Sequence, residues 1–339
     1  MNRIILFTWL IIGCLGLNGC KHKKEVHQPK TNLQEVKKLE KENPVRICRY
    51  EQALFNLPSD SLEEGLKKMR KDYDFFIGDN PSVTDLKAYL NDPVIKNLYK
   101  DVQQKYADIS DLEKGFQQAF ARLQYHFPNF KAPRIYTIVS GMDFESPIIY
   151  VDTVLIIALD MYLGADYHYY KQMGEYLPNF VRRHLSKEYI LSDCMKALSY
   201  QVIHSNNASA NLLDDMILEG KRWMFSEIAL PDAPDSLICL YTADQLRWAE
   251  INEYDVWSFL IQKNYLYGND NLVARKLIGE TPYTAYFGNS SPGNLGSWLG
   301  WQICRSWIAH NPQTPVTALF EEKVPQKILK ESQYKPIKK

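Results

Sequence analysis

The clearest chemical pattern of the sequence lies at the end of a helix predicted over residues 187–204. Tyr200-Gln201-Val202-Ile203-His204 occupies the frame of the zinc-binding motif H-E-x-x-H, with the first histidine and the glutamate replaced. Tyr200 and His204 share one helical face, and Glu219 follows fifteen residues later, where a further ligand is expected. A catalytic zinc site needs three protein ligands and a water-activating group, and Gln201 is not a base. The pattern predicts a degenerate site without metal or other cofactor, and it leaves catalytic residues unassigned.

The same residues also have ordinary structural interpretations. A histidine near the C-terminal end of a helix complements the helix dipole, which explains His204 without a ligand. Glu219 lies among apolar positions, where a carboxylate is costly unless it is paired. Lys221, Arg222 or a base on another helix can supply that pair. Both interpretations stay open from the sequence.

Three other residues are candidates for a cleft. Asp160 follows an apolar stretch over 151–159 and is interpreted as a polar group at a cleft mouth. Trp298 and Trp301 can line a ligand groove, although most aromatic side chains are expected in the core and at its rim. The segment 291–296 precedes a helix whose free N–H groups can bind an anion, but a turn with a helix cap is favoured.

The first twenty residues have the pattern of an export signal that ends in a lipidated cysteine. Arg3 precedes an apolar run over 4–17, which closes on Leu17-Asn18-Gly19-Cys20. The run is shorter than the ~20 residues that cross a membrane, and its ending resembles the lipobox of bacterial lipoproteins. We predict a signal peptide over 1–19 and an acylated Cys20. The lipid would anchor the mature chain in the cell membrane or the outer membrane, facing the periplasm.

The residues after Cys20 divide into a tether and one large domain. Residues 20–43 are rich in Lys, Glu and Gln and poor in large apolar residues, which predicts a flexible tether. Residues 44–339 contain no internal linker or repeat and are predicted to form a single globular domain.

Charge and cysteine content exclude several classes of protein. The chain has 40 Lys and Arg against 40 Asp and Glu, and loss of Arg3 with the signal leaves 39 against 40. Such a balance argues against a nucleic-acid partner. The remaining cysteines are far apart and form no C-x-x-C pair, so free thiols are expected, although an envelope compartment permits disulfides. They are Cys48, Cys194, Cys239 and Cys304.

Hydrophobic periodicity predicts an α+β fold, mostly helical, around a small antiparallel sheet. The strands are expected near 45–55, 135–139 and 148–157. Leu191, Met195, Leu198 and Val202 form the expected buried stripe of the helix over 187–204. The strand over 148–159 is expected to lie beside that helix and to form one wall of a cleft. The other helices are predicted over 61–72, 93–106, 112–125, 210–225, 243–263 and 295–310.

Several segments resemble the gliding-motility-associated lipoprotein GldB family of Bacteroidota. The residues that carry the resemblance are Leu159 to Gly164, Arg182-Arg183, Glu219-Gly220-Lys221, Tyr241 to Gln245, Trp248, Asn252-Glu253 and Ser291 to Ile303. That family is itself similar to zincin-like metalloproteases, which implies a zincin-like frame with a degenerate metal site.

The resemblance implies a lipoprotein that acts with envelope or gliding-related machinery. Because the first histidine and the glutamate of H-E-x-x-H are missing, a non-catalytic binding or scaffold role is favoured. Its expected partners are the membrane, through the N-terminal lipid, and other envelope proteins. A zincin-like metallopeptidase with an altered site and an envelope lipid-binding protein are the alternatives.

Overall fold

The computed structural model describes residues 28–77, 82–203 and 211–338. Four strands lie in these ranges: β1 (Ile47–Arg49), β2 (Arg134–Ile138), β3 (Ile148–Val151) and β4 (Val154–Ala158). The helices of the same ranges are α1 (Leu33–Glu42), α2 (Tyr50–Phe55), α3 (Leu62–Met69), α4 (Val83–Asn91), α5 (Pro93–Lys105), α6 (Ser110–His126), α7 (His168–Gln172), α8 (Asn179–Arg182), α9 (Ile190–Val202), α10 (Leu212–Ala229), α11 (Asp235–Cys239), α12 (Ala243–Gln262), α13 (Asn271–Ile278), α14 (Leu295–His310), α15 (Thr317–Glu321) and α16 (Pro325–Ser332). The described helices include none that is long and apolar enough to cross a membrane.

The four strands form one mixed sheet in the order β1-β2-β4-β3. β1, β2 and β4 are parallel, and only β3 runs antiparallel to its neighbour β4. The prediction of an α+β, mostly helical fold is confirmed, but the prediction of an antiparallel sheet is wrong. The helical connection from β1 to β2 returns the chain to the starting end of the sheet, which makes these strands parallel.

β3 and β4 form a hairpin within the stretch that was predicted as one strand over 148–157. Asp152, in the turn between Val151 and Val154, has a φ of 55°, in the left-handed region that such tight turns require. Every residue of β4 is buried, as expected for an inner strand covered on both faces. The hairpin leaves β3 as an edge strand of the sheet.

Two large apolar clusters form the core. The first joins the sheet to α5, α6 and α9, and the second joins α10 to α12, α13, α14 and α16. α10 contributes to both clusters, since Phe225 packs in the first and Met216 in the second. This helix therefore links the sheet-bearing half of the domain to the C-terminal helices.

α10 and α14 approach each other closely at two glycines. A Cβ on Gly300 would lie 2.5 Å from the carbonyl carbon of Met216 and closer still to its oxygen. A Cβ on Gly220 would lie 2.7 Å from the backbone nitrogen of Trp301. The two backbones thus pack directly on each other, which only glycine permits at these positions.

Part of the segment predicted as a flexible tether is folded. Helix α1 begins after Asn32, whose side chain accepts hydrogen bonds from the N–H groups of Gln34 and Glu35. α1 packs on α6 and buries Val36. The prediction of a flexible tether is therefore wrong for 33–42, where helix caps and one apolar anchor suffice for docking on a neighbouring helix.

The four cysteines of the globular part are free thiols, as expected. Cys194, Cys239 and Cys304 are buried, and Cys48 is partly exposed. Cys20 and the predicted signal peptide over 1–19 lie outside the described residues.

Candidate functional site

A cleft of about 450 Å³ opens between the start of β3 and helix α9. Its other walls are the segments 180–185, 239–245, 280–281 and 293–294. Ile148 of β3 and Tyr200 of α9 both line it, and β3 packs against α9. The strand expected over 148–159 is thus found beside the helix of Tyr200, at the wall of a cleft, only in its first part, β3, because the chain then turns back as β4.

An ion pair and a carboxyl group lie on the α9 side of the cleft. Lys196 donates a hydrogen bond to Glu280, which comes from the segment between α13 and α14. Burial lowers the pKa of Lys196, but the charge of Glu280 outweighs that effect and the net pKa is raised. The positive charge of Lys196 lowers the pKa of Glu280 in turn. Both groups are therefore charged at neutral pH.

Asp193 lies one turn before Lys196 and accepts a hydrogen bond of 2.8 Å from the hydroxyl of Tyr162. Burial raises the pKa of Asp193 to about 6, against the opposing effects of Tyr162 and Lys196. Asp193 is thus a cleft carboxyl group that titrates close to neutral pH.

Arg183 lines the cleft from the segment between α8 and α9. Its Nε donates to His184 Nε2 at 2.9 Å, and its Nη2 donates to Leu240 O at 3.1 Å and to Gln245 Oε1 at 2.9 Å. Burial lowers the pKa of Arg183. Burial, followed by the charge of Arg183, lowers the pKa of His184 to about 4, so this ring is neutral at pH 7.

Backbone geometry supports this arrangement. Leu240 has a φ of 59° at the end of α11, and Asn294 has a φ of 41° at the start of α14. Left-handed geometry is unusual for a leucine, and such strain concentrates at functional sites. Both residues line the cleft.

The predicted degenerate metal site appears in the structure as a stacked ion pair. Arg222 lies over the ring of Tyr200, with its guanidinium carbon 4.1 Å from the ring centroid, and it forms an ion pair with Glu219. Burial, followed by the charge of Glu219, raises the pKa of Tyr200. The structural interpretation of Glu219 as a paired carboxylate is the one observed. Gln201 is exposed at the end of α9, and His204 lies outside the described residues.

Within the described residues, no three His, Cys, Asp or Glu side chains are grouped so that they could hold a metal ion. Arg222 contacts both Tyr200 and Glu219, because it stacks on the tyrosine ring and forms an ion pair that neutralises the carboxylate.

Asp160 is completely buried and does not line the cleft, so its interpretation as a cleft-mouth group is wrong. Its carboxylate accepts hydrogen bonds of 2.8 Å from the N–H groups of Ser140 and Met142. These bonds hold a turn in which Gly141 and Met142 both have positive φ. Burial raises the pKa of Asp160.

Trp298 and Trp301 are buried in the core instead of lining the cleft. Trp301 donates a hydrogen bond of 2.7 Å to Glu227. Tyr241 stacks on Trp298 with ring centroids 5.9 Å apart, lines the cleft, and donates its hydroxyl to Gly293 O at 2.8 Å. The tryptophans thus support a cleft wall that Tyr241 forms.

The sequence did not single out Arg183, Lys196, Gln245 and Glu280 as site residues. A signal for part of this set was present, because Arg183, Tyr241 to Gln245 and Gly293-Asn294 belong to the segments that carry the family resemblance. In the structure these separate segments converge on one cleft.

The family model of gliding motility protein GldB matches residues 30–336 of the chain. No curated protein and no solved structure matches it.

Proposed function

Because this chain belongs to the GldB family of gliding motility proteins, we propose that it is a lipid-anchored envelope component that binds a polypeptide segment of another envelope protein, without catalysis. The predicted lipobox at Cys20 supports the anchor, with the folded part facing the periplasm. The family match supports a place in or beside the gliding machinery.

The observation that carries the proposal is the open edge of β3 beside the cleft. Ala158 donates its N–H to Pro147 O at 2.9 Å, and hydrogen-bonded pairs alternate along an antiparallel ladder. Ile149 and Val151 therefore bond to β4, whereas the main-chain groups of Ile148 and Tyr150 point to the other edge. Among the described residues, no strand pairs with that edge.

An extended polypeptide fits such an edge by strand addition. Its main chain would pair with Ile148 and Tyr150, and alternate side chains would enter the cleft. The cleft offers aromatic and aliphatic walls together with Arg183, Lys196 and Glu280. This mixture suits a short polypeptide segment, because it provides both apolar contacts and charged recognition groups.

The contacts around Tyr200 support a non-catalytic role. Arg222 stacks on the Tyr200 ring and neutralises Glu219, so neither group is positioned as a base or a nucleophile. Gln201 stands in the place of the motif glutamate, and its side-chain amide does not titrate, so it cannot act as a general acid or base.

Site-specific photo-cross-linking in cells tests the proposal. Thr281 is exposed and lines the cleft, so a benzoylphenylalanine at this position should capture the bound polypeptide. Tyr176 is 82% exposed and does not line the cleft, so the same probe there is the control and should give no such adduct.

Two substitutions of Ile148 then test strand addition. Both Ile148→Pro and Ile148→Ala shorten the side chain that packs beside the cleft. Only Ile148→Pro also removes the backbone N–H that points outward from the sheet. We expect the Thr281 adduct to persist in the alanine variant and to disappear in the proline variant, with both variants equally resistant to protease. An adduct that survives Ile148→Pro as well as Ile148→Ala contradicts binding at this edge.

A further inference from the structure

Arg183 differs in its partners from three other arginines that are largely buried. Arg49, Arg222 and Arg305 have side chains that are only 11–13% exposed, and each forms an ion pair with a carboxylate. Arg183 is half-buried and, among the described residues, pairs with no carboxylate. Its three hydrogen bonds go to neutral acceptors, namely His184, Leu240 O and Gln245.

The electrostatic surroundings of Arg183 agree with its contacts. The pKa of Arg183 is lowered by burial and is otherwise affected by Tyr189 and Cys239, with no carboxylate among the causes. The other cation of the cleft, Lys196, is already neutralised by Glu280. Within the described residues, Arg183 is therefore the one cation of the cleft that has no carboxylate partner. A partly buried charge without a partner is costly, and an anionic ligand would remove that cost.

The donors of Arg183 show what remains for a ligand. A guanidinium has five N–H groups. One on Nε and two on Nη2 are used inside the protein, which leaves the two on Nη1 without a partner among the described residues. The three internal bonds also fix the plane of the group before any ligand arrives, and such preorganisation favours binding.

We propose that Arg183 binds a carboxylate of the polypeptide that occupies the cleft. This inference rests on the proposed function and names the chemistry by which the cleft selects its partner. Arginine is suited to this task because its N–H groups form short, charge-assisted hydrogen bonds with carboxylate oxygens. The carboxylate is either the C-terminus of the partner or an Asp or Glu side chain.

Peptide pools distinguish these sources. The probes are N-acetylated random pentapeptides in three pools: one with a free C-terminal acid, one amidated, and one amidated without Asp and Glu. Each pool is incubated with the full chain purified in detergent, and the retained peptides are quantified by mass spectrometry. We expect the native chain to retain carboxylate-bearing peptides roughly tenfold better than the pool that lacks carboxylates. Better retention of the free-acid pool than of the amidated pool shows that Arg183 binds the C-terminus. Better retention of the amidated pool that contains Asp and Glu than of the one that lacks them shows that it binds a side chain.

Substitution then assigns the preference to Arg183. Arg183→Gln should abolish it, whereas Arg182→Gln, a matched change of the neighbouring arginine that does not line the cleft, should retain it. The pool comparison on the native chain needs no variant, so it stands even if Arg183→Gln fails to fold.

The remaining outcomes separate this inference from the proposed function. Equal retention of all three pools overturns the carboxylate inference and leaves polypeptide binding intact. A preference that persists in folded Arg183→Gln overturns the assignment to Arg183. If no pool is retained and Thr281 gives no adduct in cells, both the inference and the proposed function are overturned. If no pool is retained but Thr281 does give an adduct, only the inference is overturned.

Discussion

Replacing Gly300 by alanine should separate α10 from α14 and destabilise the whole domain. The added Cβ would lie 2.5 Å from the carbonyl carbon of Met216, and carbon atoms in contact normally stay ~3.5–4 Å apart. The Met216 oxygen would lie closer still, so the helices must move apart by more than about 1 Å at this point. The obstacle is backbone on both helices, so no side-chain rotation relieves it.

Two opposing effects set the magnitude. Overpacking of a core costs ~1–3 kcal/mol. Alanine is more favourable than glycine inside a helix by ~1 kcal/mol. Because the rigid Met216 carbonyl puts the cost of Gly300→Ala at the upper end of that range, we expect a net loss of about 2 kcal/mol in the free energy of unfolding.

Urea unfolding followed by tryptophan fluorescence measures this loss, and Gly115→Ala is the matched control. Gly115 is also helical, but its added Cβ would meet the end of the Leu191 side chain, with Cδ1 at 2.6 Å, which can rotate away. We expect Gly115→Ala to be neutral or stabilising by up to ~1 kcal/mol. Equal free energies of unfolding for the two variants would refute direct backbone packing at Gly300.

Three further predictions concern buried charge, pH and anchoring. Arg305→Met should lower the free energy of unfolding by about 3–5 kcal/mol, because Glu227, only 8% exposed, loses its counter-ion. Urea unfolding measures this loss, and a loss below ~1 kcal/mol contradicts the prediction. Since the folded-state pKa of Asp193 is raised to about 6, its contribution to stability is complete below the unfolded pKa and is lost as pH rises through about 6. The stability difference between the native chain and Asp193→Asn should therefore shift against the native chain between pH 4 and about 6, and a flat difference contradicts the assignment. Cys20→Ala should release the protein from membranes in cell fractionation, and retention after a high-salt wash contradicts the lipobox.

Helices with clear end signals were the most predictable part of the fold. The helix predicted over 295–310 is α14 with the same ends. The start predicted at Pro93 is also observed, because Asp92 caps the helix and proline is favourable at its first position. Both cases depend on local sequence alone, which is why they could be predicted.

The direction and neighbours of strands depend on distant segments and were less predictable. The sequence shows that β1 and β2 are β-prone, but the parallel pairing results from the helices between them. Val202 was predicted on the buried stripe of its helix, yet it is 41% exposed because the stripe ends before the last turn of α9. Asp160 was misinterpreted because a polar residue after a strand can equally face a cleft or hold a turn.

The candidate site depends still more on distant pairing. Lys196 and Glu280 are 84 residues apart, and no periodicity relates them. By contrast, Glu219 and Arg222 are one helical turn apart, so their pairing was among the alternatives drawn from the sequence. Local spacing thus placed the Glu219–Arg222 pair among the predicted alternatives, but it did not predict the residues that form the cleft.

The distribution of charge explains why recognition is assigned to one side of the cleft. Near Tyr200 the basic group already has its counter-ion, since Arg222 pairs with Glu219 while it stacks on the ring. Arg183, in the segment before α9, is held by neutral acceptors and has no carboxylate partner among the described residues. An anion that enters the cleft therefore gains little near the motif residues and most at Arg183. Of the H-E-x-x-H frame, Tyr200 lines the cleft next to an arginine that is already neutralised, so the proposed selectivity rests on Arg183.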